Sequence, residues 1–289
     1  MYNKQELREL QKVEVDILKE FIRVCDELQL DYTLEGGTLL GCIRHKGFIP
    51  WDDDIDVAMT RKDYEKFLEK GSKIIDSRYF IQNYKTDPEF AWAYTKIRDN
   101  NTTFIETIFK DRKMNHGVFI DVFPYDGYNP EKKFDNFYRK IKRILLNIQV
   151  AKYRYDPEKN KSLKKRLKTF IKNCSFTIIS NIIYGNKNLN ELISIQDKMA
   201  QKYSYEKSKF VSNQTDPVNI YNKKYFSKTV DEHKVLKEFE GMNVKVRKNY
   251  DEYLKIVYGD YMKLPPEEKR VPGHEVVKFD LKNSYKKYI

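Results

Sequence analysis

Two stretches hold the residues best suited to chemistry, Gly36-Gly37-Thr38 and Trp51-Asp52-Asp53-Asp54-Ile55-Asp56-Val57. The first follows an extended segment, Asp31 to Leu34, and its glycines let the backbone turn sharply and meet a ligand with no Cβ in the way. Thr38 is expected to cap a short helix from Leu39 to Arg44, whose first amides would attract an anion. Along the second stretch, strand alternation puts Asp54 and Asp56 on one face and turns Ile55 and Val57 into a core. Asp52 shares the parity of Asp54, and Asp53 opposes it. Carboxylates held that close repel, and a hard divalent cation with oxygen ligands relieves them. Magnesium fits best, with manganese (Mn2+) as the alternative ion. Alone, Asp52 to Asp54 would read as a solvated acidic turn. The preceding glycines and the apolar partners Ile55 and Val57 favour a metal ion (Mg2+) holding a phosphate instead.

A further carboxylate, Asp121, lies in Gly117-Val118-Phe119-Ile120-Asp121-Val122-Phe123-Pro124, which reads as a buried strand closed by Pro124. An aspartate among such neighbours is costly unless paired or liganded. Asp121 could complete the metal site or act as general base, and its residue type leaves both roles open. Basic groups must meet the phosphates. Arg44, His45 and Lys46 follow the glycine turn, while Lys96 and Arg98 alternate on one face of an expected strand, Trp92 to Arg98. An arginine fork suits phosphate oxygens, although two solvent-facing charges on an edge strand would look the same. His45 reads as a turn or hydrogen-bonding residue, since the chain has 4 histidines and no ligand spacing surrounds this one.

Glu35-Gly36-Gly37-Thr38-Leu39-Leu40-Gly41, followed by Arg44-His45-Lys46-Gly47-Phe48-Ile49-Pro50-Trp51-Asp52-Asp53-Asp54-Ile55-Asp56, resembles the signature of the LicD family within the nucleotidyltransferase superfamily. That family includes bacterial phosphocholine transferases and fukutin-type phosphoribitol transferases. Lys96 to Asp99, Gly117 to Asp121, Tyr258 to Met262, Leu264-Pro265-Pro266 and His274 resemble further family blocks, so the likeness runs from about Leu30 to His274. It implies transfer of phosphocholine, or a related phospho-alcohol, from a cytidine-diphosphate donor such as CDP-choline. The acceptor would be a sugar hydroxyl of a lipopolysaccharide, teichoic acid or other surface-glycan precursor, free or lipid-linked, and CMP would leave. On this reading Asp54, Asp56 and Asp121 are the catalytic and metal-binding residues. Gly36, Gly37, Thr38, Arg44, Lys96, Arg98 and His274 meet the donor, His274 on the resemblance alone. Two other readings are nucleotidyl transfer, with attack at the other phosphorus releasing pyrophosphate, and a nonenzymatic basic protein on nucleic acid or membrane. The intact carboxylate set speaks against the last, and no nucleic-acid partner is expected.

The elements that must position these residues are read from periodicity. Leu10, Val13, Ile17, Phe21, Val24 and Leu28 step by three or four, which predicts an amphipathic opening helix. Thr60 with Asp63 predicts a capped helix to about Ile75. Strands are expected at Tyr79 to Tyr84, Trp92 to Arg98, Thr102 to Glu106 and Val118 to Phe123. From Phe134 to about Tyr205 the pattern is mainly helical, followed by a hairpin at Lys234 to Val246 and a helix at Tyr250 to Tyr258. The class is therefore α+β: a nucleotidyltransferase-like mixed sheet with flanking helices over 1–128, and a largely helical extension over 129–289.

The 289 residues, 40% of them hydrophobic, can bury a sizeable core, and no apolar run approaches the roughly 20 residues that span a bilayer. With no signal-peptide core at the start, a cytoplasmic location is expected. Cys25, Cys42 and Cys174 suggest neither a disulfide framework nor a zinc site. Much of the net charge of +12 sits in Lys152 to Lys172, just before the apolar Phe176 to Tyr184. Lys161 to Tyr184 fits a segment in peripheral contact with an anionic membrane, and also fits a core helix beside a solvated basic one.

Overall fold

The computed structural model describes residues 3–154, 175–215 and 225–289. A parallel strand pair carries the carboxylates, and the inner strand of that pair organises the fold. This is β6 (Phe119–Tyr128), which pairs in parallel with β2 (Asp56–Thr60) and antiparallel with β4 (Thr95–Asp99). The sheet continues through β1 (Thr33–Leu34) beside β2 and β3 (Tyr79–Gln82) beside β4. Helices α1 (Lys4–Glu27), α2 (Gly36–His45) and α3 (Arg61–Lys66) alternate with these strands, and α3 runs on as a π-helical turn, Phe67–Gly71. The class is α+β, as expected.

Local chemistry explains several boundaries. Asn3 and Glu6 form a capping box for α1, and Thr60 accepts from the amide of Asp63 at the start of α3. One expected boundary is corrected. Pro124 does not close β6, which runs on to Tyr128. Its missing N–H falls where β4, paired through Val122, has ended and β7 (Phe210–Asn213), paired from Tyr125, has yet to begin, so no ladder bond is lost. The later chain is also less purely helical than expected. β7 and β8 (Phe226–Ser227) extend the same sheet, and β11 (Val276–Asp280) pairs with β5 (Thr103–Glu106).

The helices α4 (Lys133–Val150), α5 (175–184) and α6 (Leu189–Ala200) build a second cluster around Leu146, Leu192 and Ile193. The hairpin of β9 (Lys234–Phe239) and β10 (Met242–Arg247) turns through Glu240 and Gly241, both with positive φ, as a tight two-residue turn requires. It packs with α7 (Tyr250–Tyr258) into the same hydrophobic cluster as α1 and the sheet. Cys25 and Cys42 are buried free thiols, and no helix among the described residues is long and apolar enough to cross a membrane. The expected basic segment Lys161 to Lys172 lies outside the described residues.

Candidate active site and metal centre

The register of the parallel pair sets Asp56 directly beside Asp121. Ile55 and Val57 are wholly buried, as alternation predicts, but Asp54 precedes the strand, which begins at Asp56. Its approach is fixed from the other side: the amide of Asp121 donates to the Ile55 carbonyl at 2.8 Å. Asp52, Asp53 and Asp54 each place one carboxylate oxygen within 4.8 Å of the others.

The glycine turn differs in detail from expectation. α2 starts at Gly36, with Glu35 as N-cap, so Thr38 sits in the first turn and does not cap a later helix. Instead Thr38 Oγ1 accepts the Asp56 amide at 2.8 Å and holds the strand mouth to the helix. Gly36 has φ +51°, and a Cβ there would stand 3.3 Å from Asp56 Oδ2; at Gly37 a Cβ would stand 3.0 Å from Asp52 Oδ2. Both glycines therefore let the helix start close on the carboxylates. Glu35 is the anchor beneath. It accepts from Tyr125 Oη at 2.6 Å, from Tyr253 Oη, and from the buried Arg247 at 2.9 Å.

Lys96 and Arg98 share a face, but β4 is an interior strand and both side chains are buried. Lys96 Nζ pairs with Asp121 at 2.9 Å and lies 3.9 Å from Glu106 and 3.2 Å from the centre of the Phe119 ring. Arg98 donates to Gln82 at 2.7 Å, the Gly117 carbonyl at 2.8 Å and Glu106 at 3.1 Å. The planar fork is thus used inside the protein, where it fixes Glu106. Arg44 donates to the Tyr261 carbonyl at 2.8 Å and to His45 at 2.9 Å, joining α2 to the block after α7.

His274 reaches the cluster from the far end of the chain. Asp53 accepts the Gly273 amide at 2.8 Å, the His274 amide at 3.0 Å, and faces His274 Nδ1 at 3.2 Å. Burial opposes charging this imidazole. The hydrogen bond that the ring donates to Asp53 and the charges of Asp54 and Glu106 outweigh it and raise His274 to about 9.

Sequence reading passed over several residues. Glu14 on α1 is buried, its Oε2 has no hydrogen-bond partner, and burial together with the charges of Asp54, Asp53 and Asp52 holds its carboxyl well above the usual range. One turn earlier, Gln11 donates to the Asp52 carbonyl at 2.9 Å. The signal for Glu14 was its place in the apolar stripe Leu10, Ile17, Phe21, where a charge needs a reason. Glu106 is buried and held low: Lys96 and Arg98 outweigh its desolvation. Tyr258 faces Gly36, its hydroxyl raised by burial and then by Asp56.

Burial first, then mutual repulsion, raises the carboxyls of Asp52 and Asp56; burial also raises Asp54, to about 6, against the pull of His274 and Lys96. An all-oxygen set that repels itself at neutral pH, beside a glycine cradle, fits a hard divalent cation.

The family model described as "LicD/FKTN/FKRP, nucleotidyltransferase domain" matches residues 29–151. Over 276 residues the chain is 34% identical to the lipopolysaccharide cholinephosphotransferase LicD of Haemophilus influenzae, covering 93% of this chain and 96% of that one. It is 38% identical over 135 residues to an uncharacterised protein of Rickettsia prowazekii, 46% of this chain and 47% of that one. Human ribitol 5-phosphate transferase FKRP is 34% identical over 74 residues, 24% of this chain and 15% of that protein.

Proposed function

Since the chain belongs to the LicD family, we propose that it is a metal-dependent transferase moving phosphocholine, or a related phospho-alcohol, from a CDP-linked donor to a sugar hydroxyl of a surface-glycan precursor. CMP is the leaving product. The observation that carries this reading is the gathering of carboxylates at the glycine start of α2, with Asp56 and Asp52 against Gly36 and Gly37, Asp54 clustered with Asp52, and Asp121 beside Asp56, in a chain similar over nearly its whole length to a cholinephosphotransferase. The parallel pair that presents Asp56 and Asp121 supports a nucleotidyltransferase-like core.

Asp54, Asp56 and Asp121 would hold a magnesium ion, which supplies charge neutralisation across the donor pyrophosphate. The remaining work falls to the chain. The start of α2, with Gly36 and Gly37, offers backbone amides to phosphate oxygens. Lys96 fixes the rotamer of Asp121 through the 2.9 Å pair and tempers its charge. If Asp121 also takes the acceptor proton, Lys96 sets how readily it does so. His274, cationic at neutral pH and tied to Asp53, adds positive charge next to Asp54. Arg98 acts at one remove, by holding Glu106 against Lys96. The reading places the work in the cytoplasm, at the inner membrane face where a lipid-linked acceptor would stand.

The test is a donor panel. The protein is incubated with magnesium, a glycan acceptor, and CDP-choline or CDP-ribitol in turn, and the released nucleotide is identified. CMP release with transfer to the acceptor supports the proposal. Pyrophosphate release from a nucleoside triphosphate would replace it with nucleotidyl transfer.

A further inference from the structure

Arg139 and Arg143 stand one turn apart on the buried side of α4, only 6% and 8% exposed. Arg139 donates to the Met199 carbonyl at 2.9 Å and to Gln214 Oε1, and Arg143 reaches that same oxygen at 3.3 Å. Neither forms an ion pair with a carboxylate among the described residues. The nearest acids are committed elsewhere, Asp126 through both its oxygens to Nε and Nη2 of Arg61, and Asp135 to Lys202 and Tyr203. Arg139 Nε is buried with no partner. Burial and then the charge of Arg139 lower Arg143 to about 10. Two like charges buried without a counter-ion are expensive, and a bound anion is the direct remedy.

Both arginines line a cavity of about 630 Å³, together with Tyr128, Phe137, Phe176 and Tyr225. Lys133 and Lys140 add positive charge to its wall, and no Asp or Glu lines it among the described residues. Tyr128 lies seven residues beyond Asp121 on β6, roughly 23 Å along the strand, and opposite in parity. The cavity is therefore separate from the carboxylate site. Its wall is more apolar than inorganic phosphate alone requires. Phe137 lines it while 62% exposed, and the same two helices expose Phe134 at 84% and Ile182 at 78%. Exposed apolar groups grouped in this way mark a contact with an apolar partner.

We propose that this cavity binds the phosphate of an anionic amphiphile, the arginine pair taking the phosphate oxygens and the tail leaving past Phe137 and Phe176. The exposed side chains of α4 and α5 then rest against the lipid surface. This seat is independent of the catalytic reading, since it uses none of the acidic site.

Calorimetric titration in EDTA, which removes any metal-held anion from the carboxylates, tests it with three probes: n-octyl phosphate, inorganic phosphate and octyl glucoside. Octyl phosphate should bind, inorganic phosphate at least about tenfold more weakly, and octyl glucoside not measurably. In Arg143→Met, octyl phosphate affinity should fall about tenfold or more, while the ligand-free protein melts at a higher temperature because an uncompensated charge has gone. Phe137→Ser, on an exposed site that the fold tolerates, should weaken octyl phosphate and leave inorganic phosphate unchanged. Sedimentation with phosphatidylcholine vesicles should require added phosphatidate. Equal affinity for inorganic and octyl phosphate would make this a free-phosphate site and overturn the lipid seat. Unchanged octyl phosphate binding in Arg143→Met, or a lower melting temperature without ligand, would show that the charges are satisfied within the protein and overturn the site itself.

Discussion

Replacing Asp54 or Asp56 by asparagine separates charge from size at the strand mouth. Transfer should fall on the order of a thousandfold or more, because pyrophosphate charge loses its neutralising ion. In EDTA the same variants should melt higher than the parent, since each removes a carboxylate that burial and its neighbours disfavour. Initial rates of CMP release and scanning calorimetry measure the two effects; a near-normal rate at limiting magnesium would remove these residues from the metal site. His274 gives a pH signature. Its folded value, about 9, lies above the 6.5 of an unperturbed imidazole, so the stability it contributes is complete below pH 6.5 and disappears as pH rises through 9. Melting temperature in EDTA should decline across that window in the parent and stay flatter in His274→Gln. Parallel curves would mean that Asp53, Asp54 and Glu106 do not hold the imidazolium. At this scale the carboxylates were legible because chemistry restricts them to few residue types, whereas Arg98 was ambiguous: a sequence cannot tell a fork aimed at phosphate from one closed on Gln82, Gly117 and Glu106.

Elements meet the site through buried ion pairs. Arg247 on β10 links Glu35, the N-cap of α2, with Asp231, and stacks 3.8 Å from the centre of the Tyr253 ring. Arg247→Met should cost about 3–5 kcal/mol in urea unfolding, because Glu35 is left buried and charged without its partner. Adding Glu35→Gln should recover part of that loss, and additive costs in the double variant would argue that the two do not act as a pair. The β9–β10 hairpin and α7 were legible since their signals are local, although the turn, expected near Gly241-Met242-Asn243, falls at Glu240 and Gly241. The run of β6 past Pro124 was not, since it depends on which strand flanks that residue on each side. β7 and β11 were missed for the same reason, their partners lying far away in sequence.

For the molecule as a whole, a net charge of +12 coexists with a site that gathers Asp52, Asp53, Asp54 and Asp56 and resists their ionisation. Millimolar magnesium should therefore raise the melting temperature more than sodium chloride at equal ionic strength, since site occupation stabilises by mass action while salt only screens. Equal shifts would leave no specific ion site. The clasp of Asp53 on Gly273 and His274 extends this to the order in which the molecule is made. On the ribosome, Glu14, Asp54 and Asp121 emerge long before His274, and the early segments can fold while synthesis continues. The acidic mouth then waits, uncovered, until Gly273 and His274 have been made. Nascent chains and fragments ending before residue 273 would carry every proposed metal ligand yet lack the cation and the backbone amides that close over them, so competence would arrive only with the Gly273–His274 segment.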